Sequence, residues 1–345
     1  MKGKGKATSF DIAHYAGVSQ STVSRALRNS PLVNEETKRR VREVAQQLNY
    51  KVDKNASNLR TQQSSTLALL LFEDPTGDDS QINPFFLNML GSITRACAKE
   101  GYDLLVSFQS TSDDWRAEYE DSHRADGIIL LGYGDYMDYK SRLQRLLEND
   151  TKFVCWGANV DGRPDLTVRC DNYGGGKLAA EHLVKINRTN AVFIGDASDH
   201  CPEFFDRFKG FKDGLSEHGI VFNERNIANA ISTEMSGYHA TRSLIANNVK
   251  FNALFAASDL IAIGAIRALQ EAEINVPHQV SVVGFDNIAA ASYVSPSLTT
   301  VQQNTTLAGQ MLVANLLNLI HGEAVESTLL PPKLIVRQSS LQKIG

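Results

Sequence analysis

A chain of 345 residues is long enough for two or three domains, and 42% hydrophobic with 21% charged residues is an ordinary water-soluble composition with material for a sizeable core. No apolar run reaches the length of a membrane span and the N-terminus lacks a signal-peptide core, so no membrane partner and a cytoplasmic location are expected. The net charge of −4 hides a division: residues 1–62 hold twelve Lys/Arg against five Asp/Glu, a surplus of seven positive charges, which leaves the remainder with an excess of eleven negative ones. A basic head on an acidic body points to a polyanion as partner of the head alone.

In chain order, residues 8–28 (TSFDIAHYAGVSQSTVSRALR) read as two short helices around a glycine turn. Thr8 caps the first, with Asp11 three residues on as a near-match to a capping box. Ile12, Ala13, Tyr15 and Ala16 supply apolar surface, and Gly17 permits the tight turn. Ser19 caps a second helix whose Val23, Ala26 and Leu27 form one buried stripe. Its other face carries Gln20, Ser21, Ser24, Arg25 and Arg28, a set that suits the major groove of DNA. By geometry alone an ordinary helical hairpin with a solvated face fits as well; the basic surplus favours the groove. A third helix follows, capped by Asn34, with Glu35 and Glu36 in its first turn and Val41, Val44, Ala45 and Leu48 as its stripe. The headpiece is thus expected over residues 1–50. Residues 51–64 are polar and read as a linker, in which Leu59 is a lone apolar residue.

After Thr66, short apolar runs (TLALLLFE, YDLLVSF, GIILLG, KFVCWG, AVFIGD, ALFAASD, SVVGFD) alternate with amphipathic stretches at residues 85–100, 173–185, 205–218, 237–247 and 260–273. That alternation predicts parallel sheets flanked by helices. Ligands of open α/β sheets bind beyond the carboxyl ends of strands, which makes Glu73, Asp74, Trp156, Gly157, Asp196, Ser258, Asp259 and Asp286 pocket candidates by position. The GGGK run at residues 174–177 lacks P-loop spacing and reads as the start of a helix packed close to its strand. Cys97, Cys155, Cys170 and Cys201 show no metal-ligand spacing and read as reduced core residues. No nucleophile elbow or metal motif occurs, so neither an enzyme nor a cofactor is expected.

Several strings now point to a family. DIAHYAGVSQSTVSRAL, EETKRRVREVAQQLNY, NASNLRT, INPFF, DGIILLG, DNYGGGKLAAEHL, RFKGF, ASDLIAIGAIRAL, VPHQVSVVGFDN and PSLTTVQQ occur in the order found in the lactose/galactose repressor (LacI/GalR) family, which the chain resembles over essentially its whole length. The resemblance implies a small all-α helix-turn-helix headpiece. It also implies an α/β core, residues 65–345, of two Rossmann-like, periplasmic-binding-protein-like subdomains. The chain would cross between them near Cys170, Ser297 and Leu330. The first subdomain would take residues 65–169 and 299–329, and the second 171–296 and 331–341 with the strand KLIVRQS. It further implies a homodimer on a near-palindromic double-stranded DNA operator, and hence an association with the nucleoid. Gln20, Ser21 and Arg25 would read bases, while Thr8, Ser19, Thr22, Ser24 and Asn34 contact phosphates or act only as helix caps. Leu59 aligns with a hinge leucine that wedges into the minor groove. Ser57 stands where the family often has arginine, which removes a positive charge beside the phosphates.

By the same resemblance an effector pocket would be built from Phe85, Phe86, Trp156, Asp171, Arg207, Ser258 and Asp286. An aromatic face with Arg and Asp suits a sugar or sugar phosphate. Each residue has a plainer reading: the phenylalanines as core, Asp286 as a helix cap, Arg207 in a structural ion pair. Ser232 replaces an aromatic wall common in the family, and Trp156-Gly157 resembles purine-responsive members, so a purine-like effector is the alternative. The expected function is a DNA-binding transcriptional regulator, a repressor, switched by that effector. The rivals are a sugar-binding protein that does not bind DNA and a small-molecule enzyme. The C-terminus has no leucine heptad, which favours a dimer over a tetramer.

Overall fold

The computed structural model describes residues 7–50, 64–72, 82–108, 114–132, 136–157 and 166–341. Leu59, the expected linker up to residue 63, and the strand-end pair Glu73 and Asp74 lie outside the described residues. The chain divides into two compact units between Ser64 and Ser65.

The first unit holds α1 (Ser9–Ala16), α2 (Gln20–Leu27) and α3 (Glu35–Gln47). Each helix start is closed by the side chain the sequence suggests. Asp11 N–H donates to Thr8 Oγ1 and Thr8 N–H to Asp11 Oδ2 (2.7 Å), a reciprocal capping box. Ser19 accepts from Thr22 N–H at 3.2 Å and Asn34 from Thr37 N–H at 2.8 Å. Gly17 ends α1 with φ +63, and a Cβ there would meet nothing within 4 Å, so the backbone angle is what calls for glycine. Ile12, Ala16, Val23, Ala26, Val33, Val41 and Ala45 form the small core. Tyr15, expected to add to that surface, turns outward and is 67% exposed, while Ile12 and Ala16, one turn apart, take the buried line.

The second unit has two six-stranded sheets. In chain order its elements are β1 (Thr66–Leu71), α4 (Pro84–Lys99), β2 (Asp103–Phe108), a π-turn (Ala117–Asp121), β3 (Gly127–Leu131), α5 (Tyr136–Glu148), β4 (Phe153–Trp156) and β5 (Thr167–Cys170). There follow α6 (Asn172–Lys185), β6 (Ala191–Ile194), α7 (Pro202–Glu217), β7 (Ile227–Ala228), α8 (Glu234–Ala246), β8 (Ala253–Ala256), α9 (Asp259–Glu271) and β9 (Ser281–Asp286). The last are α10 (Ala290–Tyr293), β10 (Thr299–Gln302), α11 (Thr305–Ile320), β11 (Thr328–Leu330) and β12 (Lys333–Ile335). Strand order is β11-β5-β4-β3-β1-β2 in one sheet and β12-β10-β9-β8-β6-β7 in the other. All pairs are parallel except β10 with β12. Central strands are buried on both faces, which is why they appear as unbroken apolar runs.

The chain crosses from the first sheet to the second after β5, back after β10, and again after β11. This corrects the second expected crossing: it lies past Gln302, not near Ser297. Thr299–Gln302 pairs with Val283–Asp286 on one side, and Thr300–Gln302 with Ile335–Lys333 on the other, so residues 299–302 belong to the second lobe. The glycine run of α6 does pack closely. A Cβ on Gly175 would meet Phe285 and Val301 of the second sheet at 2.6 and 3.3 Å, and one on Gly176 would meet the Arg207 carbonyl at 2.1 Å. This close approach of α6 to α7 fixes the height of Arg207 above the sheet.

Candidate functional site

On the headpiece, α2 carries no acid, and Gln20, Ser21, Arg25 and Arg28 are exposed. Thr22 and Ser24 are half-buried. Ser19 Oγ shares hydrogen bonds of 2.8 Å with Ser21 Oγ and Thr22 Oγ1, so the start of α2 is a knot of hydroxyls at the positive end of the helix. Gln20 Nε2 donates to Ser9 Oγ at 2.9 Å, which pins this side chain to α1. Thr8 and Asn34 are exposed and engaged as caps, and the bonds from Thr8 hold the Asp11 carboxyl below the usual range. The face therefore offers donors and cations without a competing carboxylate on its own helix.

In the core, the carboxyl ends of the strands meet side chains from both lobes. Arg207 on α7 is fully buried. Its Nε donates to Asn172 Oδ1 at 2.8 Å, its Nη1 to the Ala257 carbonyl at 2.5 Å, and Nη1 lies 3.7 Å from Asp286 Oδ1. The guanidinium also lies 3.8 Å from the centre of the Phe285 ring and 5.1 Å from that of Phe204. Asp286 ends β9 at φ +109, followed by Asn287 at φ +54. Two consecutive non-glycine residues in that region store about 1–3 kcal/mol each, a cost typical of functional turns. Gln303 Nε2 donating to Asp286 Oδ1 at 2.7 Å and Arg337 donating to Asn287 Oδ1 at 2.7 Å hold the turn in place. Burial pushes Asp286 up to about 6 against the opposing pull of Arg207 and Gln303.

Ser258 is buried and caps α9, accepting from Ile261 N–H at 3.4 Å. The Ser232 hydroxyl donates to it at 2.9 Å and accepts from Asn83 Nδ2, at the start of α4, at 3.2 Å. A hydrogen-bonded chain thus runs from the first lobe to the second. Phe85, Phe86 and Trp156 are all buried; Phe85 lies 5.2 Å from Phe86 and 6.1 Å from Trp156, ring centre to ring centre. Asp171 is half-buried and caps α6 through Gly174 N–H at 2.8 Å.

Arg207 and Asp286 are thus brought together, Ser258 joins the inter-lobe chain, and Phe85 meets Trp156. Asp171 stays at the crossover as a cap. Asn83, Asn172, Glu203 and Gln303 were not anticipated. Asn83 is the cap of the Asn-Pro helix start and Gln303 follows β10, but their partners Ser232 and Asp286 come only from the tertiary fold. Asp259, deeper still, accepts from Thr300 Oγ1 at 2.5 Å and Ile288 N–H at 2.9 Å, and burial raises its carboxyl well above the usual range. Among the described residues no group of His, Cys, Asp and Glu is placed to hold a metal.

A helix-turn-helix headpiece joined to a two-lobed α/β core with charged side chains at its strand ends defines a DNA-binding transcriptional regulator. Residues 10–53 match the model of the lacI family of bacterial regulatory proteins, and residues 180–340 that of the periplasmic binding protein-like domain. The transcriptional regulator AscG of Escherichia coli is 30% identical over 352 residues, covering 97% of this chain and 98% of the relative. The ribose operon repressor of Escherichia coli is 28% identical, covering 91% and 93%. A crystal structure of the Lac repressor dimer bound to operator and an anti-inducer superimposes with TM-score 0.82 at 24% identity, covering 97% of this chain and 99% of that one, which shows the shared fold. The chain belongs to the lacI family of bacterial regulatory proteins.

Proposed function

We propose that this regulator is a repressor, acting as a homodimer on a near-palindromic operator, and that a carbohydrate held between the two core lobes switches its operator affinity. The observation that carries the effector part is the buried Arg207–Asp286 pair at the strained end of β9. A fixed guanidinium and carboxylate side by side match the alternating donors and acceptors of neighbouring sugar hydroxyls. Phe85 and Trp156, 6.1 Å apart in the first lobe, are the proposed aromatic body of the site. The ribose operon repressor supports a sugar as the class of signal.

On the headpiece, Arg25, Gln20 and Ser21 are the proposed base readers, with Thr8, Ser19, Thr22, Ser24 and Asn34 at the phosphates and Leu59 in the hinge. Gln20 leaves Ser9 to reach a base. The effector acts by binding one arrangement of the lobes better than the other, since only differential affinity moves such a balance. The test is fluorescence anisotropy on palindromes selected from a random pool, alone and with sugars or purine bases added. Salt-sensitive binding to a palindrome that one sugar shifts is the expected result. Binding without sequence preference, or a response to purine bases alone, would overturn the reading.

A further inference from the structure

One buried acid at the lobe interface, Glu203, has no ion pair among the described residues. Glu203, the second residue of α7, is only 6% exposed and faces Gly157 at the end of β4 in the other lobe. A Cβ on Gly157 would stand 2.4 Å from Glu203 Oε1, and Gly157 has φ +102, so bare backbone meets the carboxylate there. Among the described residues no lysine or arginine forms an ion pair with Glu203; its own backbone N–H donates to it, and burial raises its carboxyl above the usual range. Arg207, one turn further along α7, is engaged with Asp286, Asn172 and the Ala257 carbonyl. With Arg207 paired to Asp286, Glu203 is left as a buried carboxyl without an ion pair among the described residues, drawn by Arg207 and opposed by Asp206 beside it.

We propose that Glu203 is a charge filter at the closing point of the lobes, and that the effector is an uncharged polyhydroxyl sugar, not a sugar phosphate or uronic acid. This rests on the carbohydrate reading of the same cleft and narrows it. A sugar hydroxyl can donate to Glu203 Oε1 as the lobes close on it. A phosphate or carboxylate brings acceptors and like charge to a site where neither water nor salt screens the repulsion. The cation that would welcome an anion is already matched by Asp286.

The test is calorimetric titration of the full-length protein at neutral pH with ribose, glucose and cellobiose, and with the phosphate esters and uronic acid derived from them. A neutral sugar is expected to bind wild type at least roughly 100-fold more tightly than its anionic counterpart. Glu203→Gln, of the same shape, should narrow that gap by roughly tenfold or more, whereas Glu203→Asp, which keeps the charge, should preserve most of it. A purely structural Glu203 would move both affinities together. An anionic sugar that binds wild type as well as its neutral parent, or a gap unchanged in Glu203→Gln, overturns the charge filter alone. Binding by no probe, neutral or anionic, overturns the carbohydrate reading and this inference with it.

Discussion

The two proposed recognition regions hold their charges in opposite ways. On the headpiece, Arg25 and Gln20 stand in water, and an ion pair such as Arg39–Glu43, at 3.8 Å with both side chains more than half exposed, contributes at most about 1 kcal/mol. In the core, Arg207 and Asp286 are 0% and 2% exposed and locked by neighbours on several elements. The difference fits the partner proposed for each. DNA brings a dense charge of its own, and binding gains from released counterions, so solvated side chains suffice. A neutral small molecule brings no such field and must be met by dipoles and charges already aligned in a dry site.

The largest test of that contrast is Arg207→Ala. It leaves Asp286 buried without its cation and should destabilise the core by about 3–5 kcal/mol, read by urea unfolding. A loss below about 1 kcal/mol would mean that the pair adds nothing over a protonated Asp286. Next comes pH. With Asp286 at about 6 in the folded core and roughly 3.9 in the unfolded chain, the folded form binds its proton more tightly. Its contribution is therefore fully present below about pH 4 and lost as pH rises through about 6, a change of about 2–3 kcal/mol by neutral pH. Burial shifts Glu203 and Asp259 in the same direction. Asp286→Asn removes the Asp286 share, so the unfolding free energy of the variant should gain on wild type between about pH 4 and 7; a constant difference would contradict the assignment.

The headpiece should behave in the reverse sense. Arg25→Ala should cost about 1–3 kcal/mol of discrimination between operator and scrambled DNA and leave thermal stability unchanged. Lys2→Ala should weaken all sequences alike, and equal loss of discrimination from both variants would remove Arg25 from the reading face. The smallest effect is expected of Thr8→Ala, which opens the capping box of α1 at a cost of about 1 kcal/mol. Amide exchange should quicken along α1 alone; quickening throughout the core sheets would show that the units are not independent.

Much of the architecture could be read from the chain because central strands are continuous apolar runs. Four strands could not: TVRC, IA, TTVQ and TLL are two to four residues long or half polar, and only their partners identify them. Missing β10 is what misplaced the second crossing. In the site, Arg207, Asp286 and Ser258 were legible because they sit at strand ends or in a family string. Glu203 was not, since its meaning depends on the missing Cβ of Gly157, more than forty residues away and in the other lobe. Ser232, noticed only for the aromatic it replaces, proved to be the middle of the hydrogen-bonded chain from Asn83 to Ser258.

Gln303 occupies a single residue of connecting chain between β10 in the second lobe and Asn304, the cap of α11 in the first. Its side chain grips Asp286. At the proposed site, a guest that draws Asp286 toward its own hydroxyls would share or take over that grip. The news of occupancy then needs no relay across the domain. On that proposal it would be delivered at the joint itself, by a side chain rooted in one of the three stretches of chain that cross between the lobes.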